Sequence, residues 1–236
     1  ALGSVIAKLQ GSAKDIAPTF VDMMQGRPLV RNSARPGFLG PAFQAFRPDI
    51  SDMFERGLEE GMKGELARLG GDHKTSLSLN KDLSVDRLRT RTGLLGGLDS
   101  LRREMDASGM MNAMDGFTQQ AVSILTSGRF AEAMDLSRED PKTVARYTPT
   151  AARGGEQFVT AEGPNSVKKF LLARRLIEAG VRVVSLSISD FDTHSKNFPR
   201  MRNLLPLVDH GLHALVTDLD ENCLLYTSDA ADEVLG

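Results

Sequence analysis

The chain contains no tryptophan, a single cysteine and four histidines in 236 residues, and its net charge is close to balance at -2. One cysteine, Cys223, excludes an intramolecular disulfide and a cysteine-based metal cluster. With 29 Lys plus Arg against 31 Asp plus Glu, no electrostatic argument favours nucleic acid or an anionic membrane as partner. The basic residues that do cluster, Arg87, Arg89, Arg91, Arg102 and Arg103, fall at spacings that spread them over a solvated helix surface. No apolar run approaches the roughly 20 residues needed to cross a bilayer, so no transmembrane helix is expected. The opening Ala1-Leu2-Gly3-Ser4-Val5 lacks methionine and a charged segment ahead of an apolar one. It reads as the interior of an open reading frame, and the missing signal segment carries no information.

What is present is ordinary globular composition, 41% apolar and 25% charged, in a chain long enough for a sizeable core. Leu2 to Leu9 has the pattern of a short helix ending at Gly11, and Pro18 to Met24 that of a short strand around Phe20 and Val21. Arg35-Pro36-Gly37-Phe38-Leu39-Gly40-Pro41 cannot continue a helix or central strand and reads as a surface connection or cleft wall. Phe54 to Leu79 is polar and glycine-interrupted, an irregular insertion in which His73 has no role. From Ser84, an expected N-cap, the apolar spacing of Leu88, Leu94, Leu95, Leu98, Leu101 and Met105 predicts a helix to Gly109. A second helix is expected from about Asn112, with Met114, Phe117, Ala121, Ile124 and Leu125 as its stripe, completing an antiparallel hairpin. Asp140-Pro141 supplies N-cap and first helical residue of a short helix reaching Tyr147.

The architecture is carried by the next unit. Ser166 to Ala179 has the stripe Phe170, Leu171, Leu172, Leu176 and Ile177, Gly180 stands just past the helix end, and Val181 to Ile188 is rich in β-branched residues. Helix, glycine, apolar strand and polar strand end form the αβ half of an α/β sheet. Ser185, Ser187 and Ser189 alternate with Val184, Leu186 and Ile188, which suggests a strand near a sheet edge or beside a solvated pocket. Open α/β sheets bind ligands at the carboxyl ends of their strands. Asp192-Thr193-His194 occurs at that place. In extended backbone positions i and i+2 project to one side, so a carboxylate and an imidazole at that spacing can share a divalent ion. The same three residues can instead cap the helix expected to begin near Pro199.

LLARRLIEAGVRVVSLSI, FDTHSKNF and LLPLVDHGLHALVTDLDE, with RPGFLGPAFQAF at Arg35–Phe46, the segment Leu83–Gly109 and AMDLSRE at Ala133–Glu139, resemble the family known as domain of unknown function 1501. That bacterial family is grouped with the alkaline phosphatase and sulfatase-like proteins. The resemblance implies an α/β fold with a partial alkaline phosphatase-like core, a fragment dominated by helices with few strands. Residues 1–221 would form an incomplete domain, with a helical cap at about 84–147 and an αβ core unit at 166–221. Family members usually carry Trp-Asp-Thr-His followed by Asn-Phe, so Asp192 and His194 are implied metal ligands and Asn197 a supporting or substrate-facing residue. Phe191 stands where the family has tryptophan, and Asp190 where it commonly has glycine. Asp190 thus adds a third possible ligand, through oxygen, to Asp192 and His194, unless it is a solvated acid at the strand end.

Asp209-His210-Gly211 looks like the Asp-His pairs of that superfamily, but it lies within the expected helix Pro199 to Glu221. That helix has the stripe Leu204, Leu205, Val208, Leu212, Leu215 and Leu219, and His210 and His213 are read as its surface. After Glu221 the family would continue through a turn into Gly-Glu-Phe-Gly-Arg-Thr-Pro and later an Asp-His pair. Here the chain reads Cys223-Leu224-Leu225-Tyr226-Thr227-Ser228-Asp229-Ala230-Ala231-Asp232-Glu233, the one-frame translation of a common transposase sequencing adapter. Residues 222–236 are accordingly expected to be a non-native tail.

The function implied by the resemblance is that of an exported, metal-dependent hydrolase of phosphate or sulfate esters, on small-molecule or glycan substrates. Zinc or a similar divalent ion would serve the intact parent, in the periplasm or outside the cell. A catalytic metal needs about three protein ligands and an open position, so this fragment alone is expected to be inactive and not to retain the ion. The alternative is a non-catalytic extracytoplasmic binding or surface-associated protein, since the Glu-Phe motif of the family replaces a ligand pair of true phosphatases.

Overall fold

A computed structural model describes residues 2–11, 16–24, 35–54, 84–93, 121–122, 124, 128–149, 162–189, 191, 193 and 196–225. Helices dominate and strands are few, an α/β architecture whose described part holds one two-stranded sheet. In chain order the elements are α1 (Leu2–Gln10), β1 (Phe20–Met23), α2 (residues 85–93), α3 (Arg129–Met134), α4 (Pro141–Arg146), α5 (Lys168–Glu178), β2 (Val183–Leu186) and α6 (Asn197–Glu221). They sort into two compact units. The first comprises Ala1–Pro48, Lys74–Asp135 and Leu176–Ser185, the second Asp49–His73, Leu136–Arg175 and Leu186–Gly236.

In the first unit, α1 ends where Gly11 N–H donates to the Ala7 carbonyl at 3.0 Å. A Cβ on Gly3 would lie 2.7 Å from the Phe20 ring, so the glycine lets the helix approach the strand. β1 is buried at all four residues, as a strand covered on both faces must be. Its neighbours are β2 and an isolated parallel bridge between Val21 and Phe46. Phe20 and Ala45 form a small core with Ala7 and Val183, and Phe46 meets the Phe130 ring edge-on at 5.3 Å. Asp22, only 3% exposed, is the charged member of this strand. It accepts from Arg47 Nε at 2.9 Å and from the Ser185 hydroxyl at 2.5 Å, which offsets its desolvation. In α2, Ser84 caps as expected by accepting the Arg87 N–H at 3.3 Å, and Arg87, Arg89 and Arg91 are exposed.

The core of the second unit is Tyr147, Val167, Phe170, Leu171 and Ala214, with Leu136, Val144, Leu186, Ile188, Leu207 and Leu215 packed around it. Asp140 caps α4 through Lys142 N–H at 2.9 Å with Pro141 at the first helical position, as its sequence requires. α5 is buried almost all round. Phe170, Leu171, Leu172 and Leu176 are inside, but Ile177 is 38% exposed, while Lys169 and Arg174 are buried. Gly180 has φ +105 and turns the chain toward β2, where Val181 N–H reaches the Leu176 carbonyl at 3.0 Å.

α6 begins at Asn197, two residues before the expected start, and its buried face is rotated from the expected stripe. Leu204, Gly211, Ala214 and Asp218 face inward, whereas Leu205 and Leu212 are 51% and 49% exposed. Leu204 alone of the expected stripe is fully buried, and Val208, Leu215 and Leu219 are half-buried. The cause is steric and electrostatic. A Cβ at Gly211 would sit 2.4 Å from the Phe170 ring, so only glycine admits that contact, and Asp218 is drawn inward by partners on other helices. Asp218 accepts from the Tyr147 hydroxyl at 2.9 Å, lies 2.9 Å from Arg174 Nε and 3.4 Å from an Arg146 nitrogen. Arg174 and Arg175 both reach Glu139 Oε2 at 2.7 Å. At the other end of α6, Cys223 has φ +56. Its N–H donates to Asp220 O at 3.0 Å and Leu224 N–H to Leu219 O at 2.8 Å, a Schellman closure with a non-glycine in the left-handed position.

Candidate functional site

β2 stops pairing at Leu186, and the chain runs on through Ser187, Ile188 and Ser189 toward the Asp192-Thr193-His194 sequence. Asp190, Asp192 and His194 lie outside the described residues, as do His73, most of the expected helical hairpin and residues 226–236. The described residues are those that flank the Asp192-Thr193-His194 sequence. Phe191, in the tryptophan position, is 49% exposed. Thr193 donates its N–H to the Phe191 carbonyl at 3.1 Å and its hydroxyl to Asn197 Oδ1 at 2.9 Å. Asn197 is exposed at the first residue of α6, and Lys196 before it adopts φ +52. The Thr193 to Asn197 bond and the left-handed Lys196 together shape the turn into α6. Of the residues singled out from sequence, Asn197 is thus placed in the turn that follows the Asp-Thr-His sequence.

Asp209, His210 and His213 lie within α6. His210 is half-buried, with Nε2 2.8 Å from the Arg146 carbonyl, and His213 is exposed. His210 is thus a half-buried helix residue bonded to the end of α4 rather than a fully exposed one. Among the described residues no three His, Cys, Asp or Glu side chains are grouped to hold a metal ion.

Beneath the strand exit is a cluster that local periodicity did not reveal. Glu162 and Lys169 have side chains 2% and 0% exposed and are 2.8 Å apart. Glu162 Oε1 accepts both the N–H of Ser189, at 3.0 Å, and its hydroxyl, at 2.7 Å. Lys169 Nζ also lies 3.5 Å from the Ser187 carbonyl and 5.9 Å from the centre of the Phe54 ring. Burial alone would push the Glu162 carboxyl up. The Lys169 hydrogen bond and charge, with the two Ser189 hydrogen bonds, outweigh it and hold the group below its ordinary value. The alternating serines have an internal explanation as well. Ser185 serves Asp22 and Ser189 serves Glu162, so their face is polar because buried carboxylates need donors. One signal was available in the sequence: Lys169 lies at helical spacing from Leu172 and Leu176, a charge on an apolar stripe.

Residues 1–227 match the family described as Protein of unknown function (DUF1501). The chain belongs to the DUF1501 family. The match spans the strand β2, the Asp192-Thr193-His194 sequence and all of α6, and it extends into the first residues after Glu221. No curated protein and no solved structure matches this DUF1501 chain. No helix among its described residues is long and apolar enough to cross a membrane.

Proposed function

We propose that this DUF1501 protein is an exported, metal-dependent hydrolase of phosphate or sulfate esters, with the alkaline phosphatase-like core that its sequence resembles. The observation that carries the reading is the position of Asp192-Thr193-His194, which follows the carboxyl end of β2 with a buried, fully partnered carboxylate at the strand exit. Carboxylate oxygen and imidazole nitrogen are a donor set that suits zinc. Asp192 and His194 would hold the ion, Asp190 would add an oxygen, and Asn197 would support the turn or face the substrate. When bound, such an ion polarises the ester oxygen and lowers the pKa of an attached nucleophile. The chain's own contribution is to hold the strand exit and, through Thr193 and Asn197, the entry to α6.

Export to the periplasm or beyond is part of the reading and rests on the family resemblance; the reading of residues 222–236 as foreign rests on their agreement with the translated adapter, while the family match itself runs to residue 227. The segment in hand supplies one carboxylate and imidazole pair and is expected to have no turnover alone. The test is metal analysis of the intact family protein with and without Asp192→Ala plus His194→Ala, together with assays on aryl phosphates and aryl sulfates. Loss of metal in the double variant, and turnover removed by chelator and restored by zinc, are the expected results. Unchanged metal content in the double variant would refute the assignment, and a metal-free, inert wild type would leave a binding protein.

A further inference from the structure

We infer that the buried Glu162–Lys169 pair is a positioning device for the exit of β2, holding Ser187 and Ser189 through side-chain contacts. The ladder ends at Leu186, yet Ser189 is 7% exposed and its backbone N–H needs a partner. That partner is a side chain, Glu162 Oε1, which takes the N–H and the hydroxyl together. The other carboxylate oxygen is held by Lys169, whose ammonium also reaches the Ser187 carbonyl. Glu162 therefore cannot rotate away from Ser189 without breaking an ion pair in the interior, and two consecutive polar positions of the exit are tied to one rigid element, α5.

An ion pair so deeply buried is a poor source of stability, since desolvation cancels much of the attraction and apolar replacement of both partners is commonly neutral or better. What apolar side chains cannot supply is an acceptor for Ser189. The pair is therefore needed for the geometry of the backbone from which the chain enters Asp190 to His194. Its value to chemistry rests on the metal reading above, whereas the holding of Ser189 does not. Second contacts of this kind commonly govern metal affinity.

Two double variants of the full chain separate the roles. Glu162→Leu with Lys169→Leu removes charge and acceptor, while Glu162→Gln with Lys169→Met removes charge but keeps an acceptor for Ser189. Amide hydrogen exchange should be faster by about tenfold or more at Ser189 in the leucine pair. It should return toward wild type in the glutamine variant, with α5 and α6 protected alike in both. Equal exchange at Ser189 in wild type and both variants would overturn the proposal. Ser189→Ala, which deletes one hydroxyl and keeps both charges, covers the case in which the leucine pair fails to fold. Faster amide exchange at position 189 in that variant supports the proposal, and unchanged exchange refutes it. Zinc titration of the same proteins is the separate arm. A wild type that takes up no zinc defeats the metal reading, while the exchange comparison still decides the positioning role.

Discussion

The hydroxyl of Tyr147 donates to the carboxylate of Asp218 across 2.9 Å, joining the end of α4 to the buried side of α6 between residues 71 apart in sequence. Tyr147 is fully buried and Asp218 is 3% exposed, with Arg174 and Arg146 completing the surroundings of the carboxylate. Desolvation, then the Asp218 hydrogen bond and charge, push the phenol far above its ordinary value, so it is a permanent donor at physiological pH.

Tyr147→Phe is expected to destabilise the chain by about 1.5–3 kcal/mol, the range for a hydrogen bond to a charged group. Asp218→Ala should cost more than Tyr147→Phe, because it removes one of the two carboxylates on buried Arg174 and leaves the Tyr147 hydroxyl without its acceptor. Urea unfolding of the single and double variants measures both. Strict additivity would show that the two side chains do not act together.

Acid should weaken the second unit. Glu162 and Glu139 both sit below their ordinary value of 4.5 because, against burial, lysine or arginine partners favour the charged form. A depressed carboxylate contributes stability that is present above the unfolded value and is lost as pH falls through the folded one. Stability should therefore hold from neutrality to about pH 4.5 and decline below it, with a shallower decline in Glu162→Gln plus Lys169→Met. For Tyr147 the sign is opposite: its raised value gives stability present below 10.0 and lost as pH rises beyond it. Denaturant midpoints across pH test all three.

Gly211→Ala should cost about 1–3 kcal/mol despite improving helix propensity, because the added methyl would lie 2.4 Å from the Phe170 ring. Pairing it with Phe170→Leu should recover part of that loss. A neutral or stabilising Gly211→Ala in thermal unfolding would show that the Phe170 contact is not tight.

Cys223→Gly should stabilise the end of α6 by roughly 0.5–1 kcal/mol, since a left-handed φ of +56 disfavours any side chain. The gain should be visible as slower amide exchange at Cys223 and Leu224. Their N–H groups close the helix on Asp220 and Leu219.

Much of the local structure was legible in the sequence because it is set by neighbours along the chain. Apolar spacing and Gly180 predict α5 and β2, and φ +105 at Gly180 shows why that residue is glycine. Asp140-Pro141 predicts the start of α4, and Gly11 the end of α1. The match to the DUF1501 family agrees with the segments recognised in the sequence.

The tertiary structure decided where charge goes. Asp22, Glu162, Lys169, Arg174 and Asp218 are all buried, yet in one dimension all but Lys169 look like solvated residues. For Asp22 and Asp218 the partners come from distant segments, as with Ser185 and Asp22, 163 residues apart, whereas Glu162 and Lys169 are seven apart. Periodicity reports where apolar groups fall, but the burial of a charge depends on an opposite group arriving from elsewhere to offset desolvation. The same reason turned α6 away from its leucine stripe. Gly211 could accept the Phe170 ring and Asp218 could meet Arg174 and Tyr147, and those contacts exist only once the helices are packed.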